Sequence, residues 1–129
     1  MAQAPDPIAA RQEGLRGMSA IMREITQTVQ ARGDVRPLAA RAEAMPAFFR
    51  ALPAMFPPGS QAEPPRSYGR PIIWTDRATF EQRANAVATE TERLRATLAS
   101  GDAAAVAAQL RATGAACQAC HDTFRIPRS

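Results

Sequence analysis

The stretch Gly-Ala-Ala-Cys-Gln-Ala-Cys-His-Asp-Thr-Phe-Arg, Gly114 to Arg125, holds both cysteines and the only histidine of the chain. Three chemistries use such a cluster: a redox dithiol, a metal site of thiolates and imidazole, or covalent attachment of haem. A thioredoxin-like dithiol sits behind a strand, at a helix N-terminus whose positive end lowers the thiol pKa. Here the pair falls near the end of a helical pattern, where the dipole has the opposite sign, and no βαβ pattern surrounds it. Structural zinc takes four ligands; the chain offers three soft ones within one turn and marks no fourth. Two structural cysteines would need no histidine directly behind them. The C-x-x-C-H spacing itself matches a c-type haem attachment site. On a helix, positions i and i+4 lie about 40° apart and positions i and i+3 about 60° apart on the other side. Cys117, Cys120 and His121 therefore project from one face, so that the thiols can form thioethers with two vinyl groups while the imidazole reaches the iron.

The rest of the chain has to position that cluster. Its 129 residues and 13.8 kDa make one domain, residues 1–129, long enough to bury a core without staples. Two cysteines this close in sequence cannot build a disulfide framework, so packing must supply the stability. The net charge of +4 comes from 16 basic residues that are all arginine. They are interspersed with 12 acids, and aromatics make up only 5% of the chain. A nucleic-acid binder would show a basic stripe or a stacking platform, so this class is set aside. No apolar run approaches the ~20 residues that span a bilayer. No secretory leader is seen, and Met1-Ala2-Gln3-Ala4 reads as the start of a mature chain.

Asp6-Pro7 is a capping side chain followed by proline at the first helical position. From there Ile8, Leu15, Met22 and Val29 recur every seven residues, with Met18 and Ile25 between them, predicting a first helix that ends near Gly33. Arg11 falls on this apolar seam. A second helix is predicted over about Pro37 to Leu52, carried by Leu38, Ala42, Met45, Phe49 and Leu52, with Pro46 kinking it or ending it early. Pro53 to Pro71 has six of the eleven prolines and no helical period, and reads as a long crossover. A third helix follows Trp74, capped by Thr75 or Asp76, with the seam Phe80, Ala84, Val87, Thr91, Leu94 and Leu98. Ser100-Gly101-Asp102 stops it and starts a fourth. That last helix puts Val106, Leu110, Gly114, Cys117, His121 and Phe124 on one face. No segment alternates with a strand period. The expected fold is all-α: an antiparallel four-helix bundle with a proline-rich crossover between its second and third helices.

With the haem motif at its C-terminus, Arg11-Gln12 in the first helix and Ile73-Trp74-Thr75-Asp76 before the third, the sequence resembles the cytochrome c′ group over essentially its whole length. The resemblance implies one covalently attached haem c per chain, lying among the four helices, with His121 as the proximal iron ligand. Gly114, one turn before Cys117, would let the porphyrin come close. Arg11 would pair with a haem propionate, and Gln12 and Arg70 would meet the polar edge. In this group the residue four positions after the arginine of the Arg-Gln pair separates two behaviours, since low-spin relatives carry a methionine ligand there. Here that position is Leu15, which cannot ligate iron. Met18 reads as a wall residue, because methionines at helical spacing serve more often as core filler than as ligands. Phe56 and Phe80 would complete an apolar distal pocket, and Arg125 would lie on the proximal side. Where the family often has a tryptophan after Leu-Pro, Ala54 stands here.

The implied protein has a five-coordinate, high-spin iron that binds NO and CO and serves in NO binding or buffering. The alternative is a soluble electron carrier, with a redox partner protein and a methionine as sixth ligand. No acid–base residue can be placed distally, so no enzyme activity is expected. The resemblance also implies a periplasmic location with the signal removed, and a homodimer through the first two helices. No nucleic-acid or membrane partner is expected.

Overall fold

The computed structural model describes residues 6–128; the reading of Met1 to Ala4 as a mature start lies outside them. The first helix, α1, spans Pro7–Gln30, and the Asp6 carboxylate accepts the Ile8 N–H at 3.0 Å. It ends before Gly33. Arg32 takes the left-handed conformation at φ 58°, and Gly33 N–H donates to Thr28 O at 2.9 Å.

Pro46 divides the predicted second helix into α2, Leu38–Ala42, and α3, Met45–Ala51. It stands in the first turn of α3, where its missing N–H costs nothing. The crossover is not structureless. It opens with a 3₁₀ turn, Leu52–Met55, and closes with a short helix, α4, Ile72–Thr75. Helix α5, Arg77–Ser100, begins behind Asp76, whose carboxylate accepts the Thr79 N–H at 3.4 Å. Gly101 ends it at φ 75°, a left-handed conformation that favours glycine. Asp102 then caps α6, Ala103–Phe124, through the Ala105 N–H at 3.1 Å.

The four arms of the antiparallel bundle are α1, the α2–α3 pair, α5 and α6. Every residue of the predicted α5 seam is buried, which makes this helix the spine against which α2, α3 and α6 pack. The end containing the two short links is closed by Ile25, Val35, Leu98 and Val106. At the other end the helices part around a cavity. The crossover starts and finishes at that end, so its length is not needed to join α3 to α5; it covers the opening instead. Accordingly Leu15, Met18 and Met22 are only half buried, because their seam faces the cavity rather than packed protein. Ile21, off the predicted seam, is buried in the core. No helix among the described residues is long and apolar enough to cross a membrane.

Candidate functional site

The cavity measures about 500 Å³, within the range of ~300–1,000 Å³ usual for small-molecule sites. One wall is α6, which contributes Gly114, Cys117, Cys120, His121 and Phe124. Facing it, α1 supplies Arg11, Gln12, Leu15 and Met18. Phe56 from the crossover and Phe80 from α5 complete the apolar lining, together with Arg125 just beyond α6. The structure thus brings ten of the eleven sequence-predicted site residues onto one cavity. Arg70 is the exception. Its Nε–H donates to Arg125 O at 3.1 Å and its amide to Phe124 O at 2.8 Å, so it fastens the crossover to the end of α6 and is absent from the wall.

Cys117 and Cys120 are half buried and unpaired with each other. Burial pushes the Cys117 thiol up, and burial with the neighbouring Cys117 pushes Cys120 up to about 11, against a small pull from Arg83. Both sulfurs therefore stay protonated at neutral pH, the reverse of the lowered thiol a redox dithiol needs. Among the described residues no three His, Cys, Asp or Glu side chains converge as a metal site requires. His121 is exposed on the cavity wall. The residue is open to the cavity, yet the protein atoms around the ring desolvate its charged form, and with the charge of Arg125 they hold its pKa below the ordinary value, against Asp122. The Arg125 guanidinium approaches His121 Nδ1 at 3.4 Å. A neutral imidazole is the form that ligates metal.

The lining fits haem c in three respects. Its floor is apolar, as a macrocycle requires. Its charged lining residues are Arg11, Arg16, Arg125 and Arg128, with no carboxylate among the described residues lining it, which suits a group carrying two propionates. The third respect is space. A Cβ built on Gly114 meets nothing within 4 Å, so what this glycine spares is room on the cavity wall, not a backbone conformation. Gly114→Leu should therefore leave the apoprotein as stable or more so, by up to about 1 kcal/mol from helix propensity, while lowering haem incorporation. Urea unfolding of the apoprotein and the haem-to-protein ratio after maturation read the two effects separately.

Arg11 is only 2% exposed. Its Nη1 donates to Met55 O at 3.3 Å and Ser60 Oγ at 3.0 Å; its Nη2 donates to Ser60 O at 3.0 Å and Ser67 Oγ at 3.2 Å. The guanidinium thus ties α1 to the crossover through its four terminal N–H groups. Gln12 does the same at the surface, donating to Arg66 O at 2.7 Å. The sequence reading missed Ser60 and Ser67, since isolated serines in a proline-rich loop carry no pattern. It also missed Met45, Phe49, Thr91 and Thr113, which line the cavity from α3, α5 and α6. Ala54 is exposed and off the wall, so the departure there does not set the cavity's size; Phe56 occupies the wall instead.

Comparison with known proteins gives the family. The family model described as Cytochrome C' matches residues 6–125. A cytochrome c' from Alcaligenes xylosoxydans xylosoxydans is 33% identical over 127 residues, 96% of this chain and 96% of the relative. One from Rhodospirillum rubrum is 32% identical over 129 residues, 97% of this chain and 87% of the relative. A solved structure of cytochrome c prime from Alcaligenes xylosoxidans, a ferrous arginine-to-lysine variant with bound NO, superposes with a TM-score of 0.84 at 28% identity over 99% of both chains.

Proposed function

The chain belongs to the cytochrome c′ family, and from that premise we propose that it is a gas-binding haem protein whose iron has one protein ligand, His121. Its cofactor is haem c, covalently attached. When bound, the haem would supply an iron that takes NO or CO. Cys117 and Cys120 anchor the macrocycle through thioether bonds, which suits thiols that burial keeps protonated and unreactive toward each other. Arg125 stands beside the His121 ring and sets its charge environment. Gln12, Arg16 and Arg128 lie on the cavity wall with no carboxylate lining it beside them, and receive the propionates. Gly114 keeps the α6 wall clear.

Leu15 is the observation that carries this reading. It stands on the cavity wall, on the helix facing His121, and offers no atom that ligates iron. Phe56 and Phe80 continue that apolar surface and offer no hydrogen bond, which favours NO and CO over ligands that need polar stabilisation. The solved relative with bound NO supports gas binding in this family. Covalent attachment of haem c belongs to maturation outside the cytoplasm, so the protein is placed in the periplasm.

Met18, one turn beyond Leu15 and also on the wall, gives the second reading, an electron carrier with sulfur as sixth ligand. Absorption spectra of the reduced protein with and without CO decide between them. A high-spin spectrum that shifts on CO addition is expected. A low-spin, CO-insensitive spectrum overturns the gas-binding reading and promotes Met18.

A further inference from the structure

Residues 53–60 read Pro-Ala-Met-Phe-Pro-Pro-Gly-Ser. Proline accepts hydrogen bonds through its carbonyl but has no N–H to donate. A segment this rich in proline carries more acceptors than donors and cannot satisfy itself. The surplus is met from three neighbouring elements. Arg11 of α1 reaches Met55 O and Ser60 O. Trp74 of α4 donates its indole N–H to Pro57 O at 3.1 Å. Arg77, the first residue of α5, donates to Phe56 O at 2.9 Å and to Pro53 O.

The Phe56 ring lies inside this set of donors. Arg11 Cζ stands 4.2 Å from its centroid, and Phe80 meets it edge-on at 5.0 Å between centroids. Arg77 Cζ stands 5.7 Å from the Phe80 centroid. Two guanidinium groups thus flank the edge-to-face Phe56–Phe80 pair, Arg11 over Phe56 and Arg77 over Phe80, each also gripping backbone carbonyls of the segment that carries Phe56. Charge-assisted bonds of this kind are stronger than neutral ones, and the planar fork of arginine lets one side chain hold two carbonyls.

We propose that Arg77 is a positioning residue for the pocket: with Arg11 opposite, it fixes Phe56 in the cavity wall and so governs the access of small ligands. Arg77 is not itself on that wall; it acts through the carbonyls flanking Phe56. The ligand-access part rests on the gas-binding reading above. Glu81 lies 3.9 Å from Arg77 Nε, on the exposed side, and such a pair contributes little. It supplies a control.

The test uses the haem-loaded protein with Arg77→Gln, Arg77→Lys and Glu81→Gln, read by amide hydrogen exchange and by CO association kinetics. The Phe56 and Ser60 amides bond within the segment, to Pro53 O and Pro57 O at 3.1 Å each, and report its order. In Arg77→Gln the Phe56 amide should exchange about tenfold faster or more, as loss of bonds from a charged group implies, while the Leu94 amide in the core is unchanged. CO association should change by about threefold or more. Arg77→Lys should recover part of both, and Glu81→Gln should match the parent protein. Unchanged Phe56 exchange, or an equal rise at Leu94, overturns the proposal. Faster Phe56 exchange with unchanged CO kinetics also overturns it, because the clamp would then hold the loop without governing the pocket. If the parent protein takes no CO, the gas-binding reading falls with the ligand-access part, while Phe56 exchange still decides whether Arg77 positions the segment.

Discussion

On the gas-binding reading, Leu15→Met is expected to turn a high-spin, CO-responsive protein into a low-spin one whose apparent CO affinity is about a hundredfold lower. The cavity places residue 15 on the α1 wall facing α6, so a thioether there has the reach that leucine's methyl groups lack in kind, not in length. Volume hardly changes, because leucine and methionine exchange in cores at a cost below about 1.5 kcal/mol. The effect therefore comes from chemistry and not from unfolding. If the sulfur occupies the position that the gas-binding reading leaves open in ~99% of molecules, the competent fraction is ~1% and the apparent affinity falls in proportion. The checks are the absorption spectrum of the reduced protein and a CO titration. A Leu15→Met protein that stays high-spin, with CO affinity unaltered, shows that residue 15 does not face the iron. Leu15→Ala is expected to move affinity the other way, since it removes bulk from the wall without adding a ligand.

Arg11→Met should destabilise the protein by about 3–5 kcal/mol, because it removes several hydrogen bonds from a charged group, each contributing about 1.5–3 kcal/mol, and leaves buried neutral acceptors behind. The substitution leaves Met55 O, Ser60 O and Ser67 Oγ without the donor they now share. Ser60 Oγ suffers less, since it retains its own bond to Pro57 O at 2.8 Å. The Phe56 ring also loses the cation 4.2 Å from its centroid. For a chain of this size the midpoint of thermal unfolding should drop by roughly 10–20 °C. Gln12→Ala, which removes one bond at the surface, should cost no more than about 1 kcal/mol. Denaturant unfolding followed by far-UV circular dichroism measures both. A loss below about 1 kcal/mol for Arg11→Met indicates that the guanidinium serves the haem propionate alone and that the crossover holds without it.

The sequence was legible wherever a local pattern has a local cause. Asp6-Pro7, Asp76 and Ser100-Gly101-Asp102 mark helix ends through caps and a left-handed turn, all decided within a few residues, and the structure places helix ends at each. The α5 seam is regular because that helix is packed on several sides, so its period survives as burial. The α1 seam was harder to read. Half of it faces a cavity, and a sequence pattern does not distinguish an apolar wall from an apolar core. Pro46 likewise announced a break without telling whether it kinks a helix or opens a new one.

By itself, the order of residues determined the chemistry at one end of α6. Cys117, Cys120 and His121 share a helical face because 3.6 residues per turn puts them there, whatever the rest of the chain does. Sequence also fixed Leu15 as a residue without a ligand atom. Tertiary structure alone decided what those residues confront. It set Leu15 and Phe56 on the same cavity as His121, took Arg70 off the wall, and spent the four terminal N–H groups of Arg11 on the crossover. The reason is that unpaired buried acceptors must find donors. The carbonyls of a proline-rich loop outnumber the donors it carries, and the arginines that answer the surplus are distant in sequence and near only once the helices have packed.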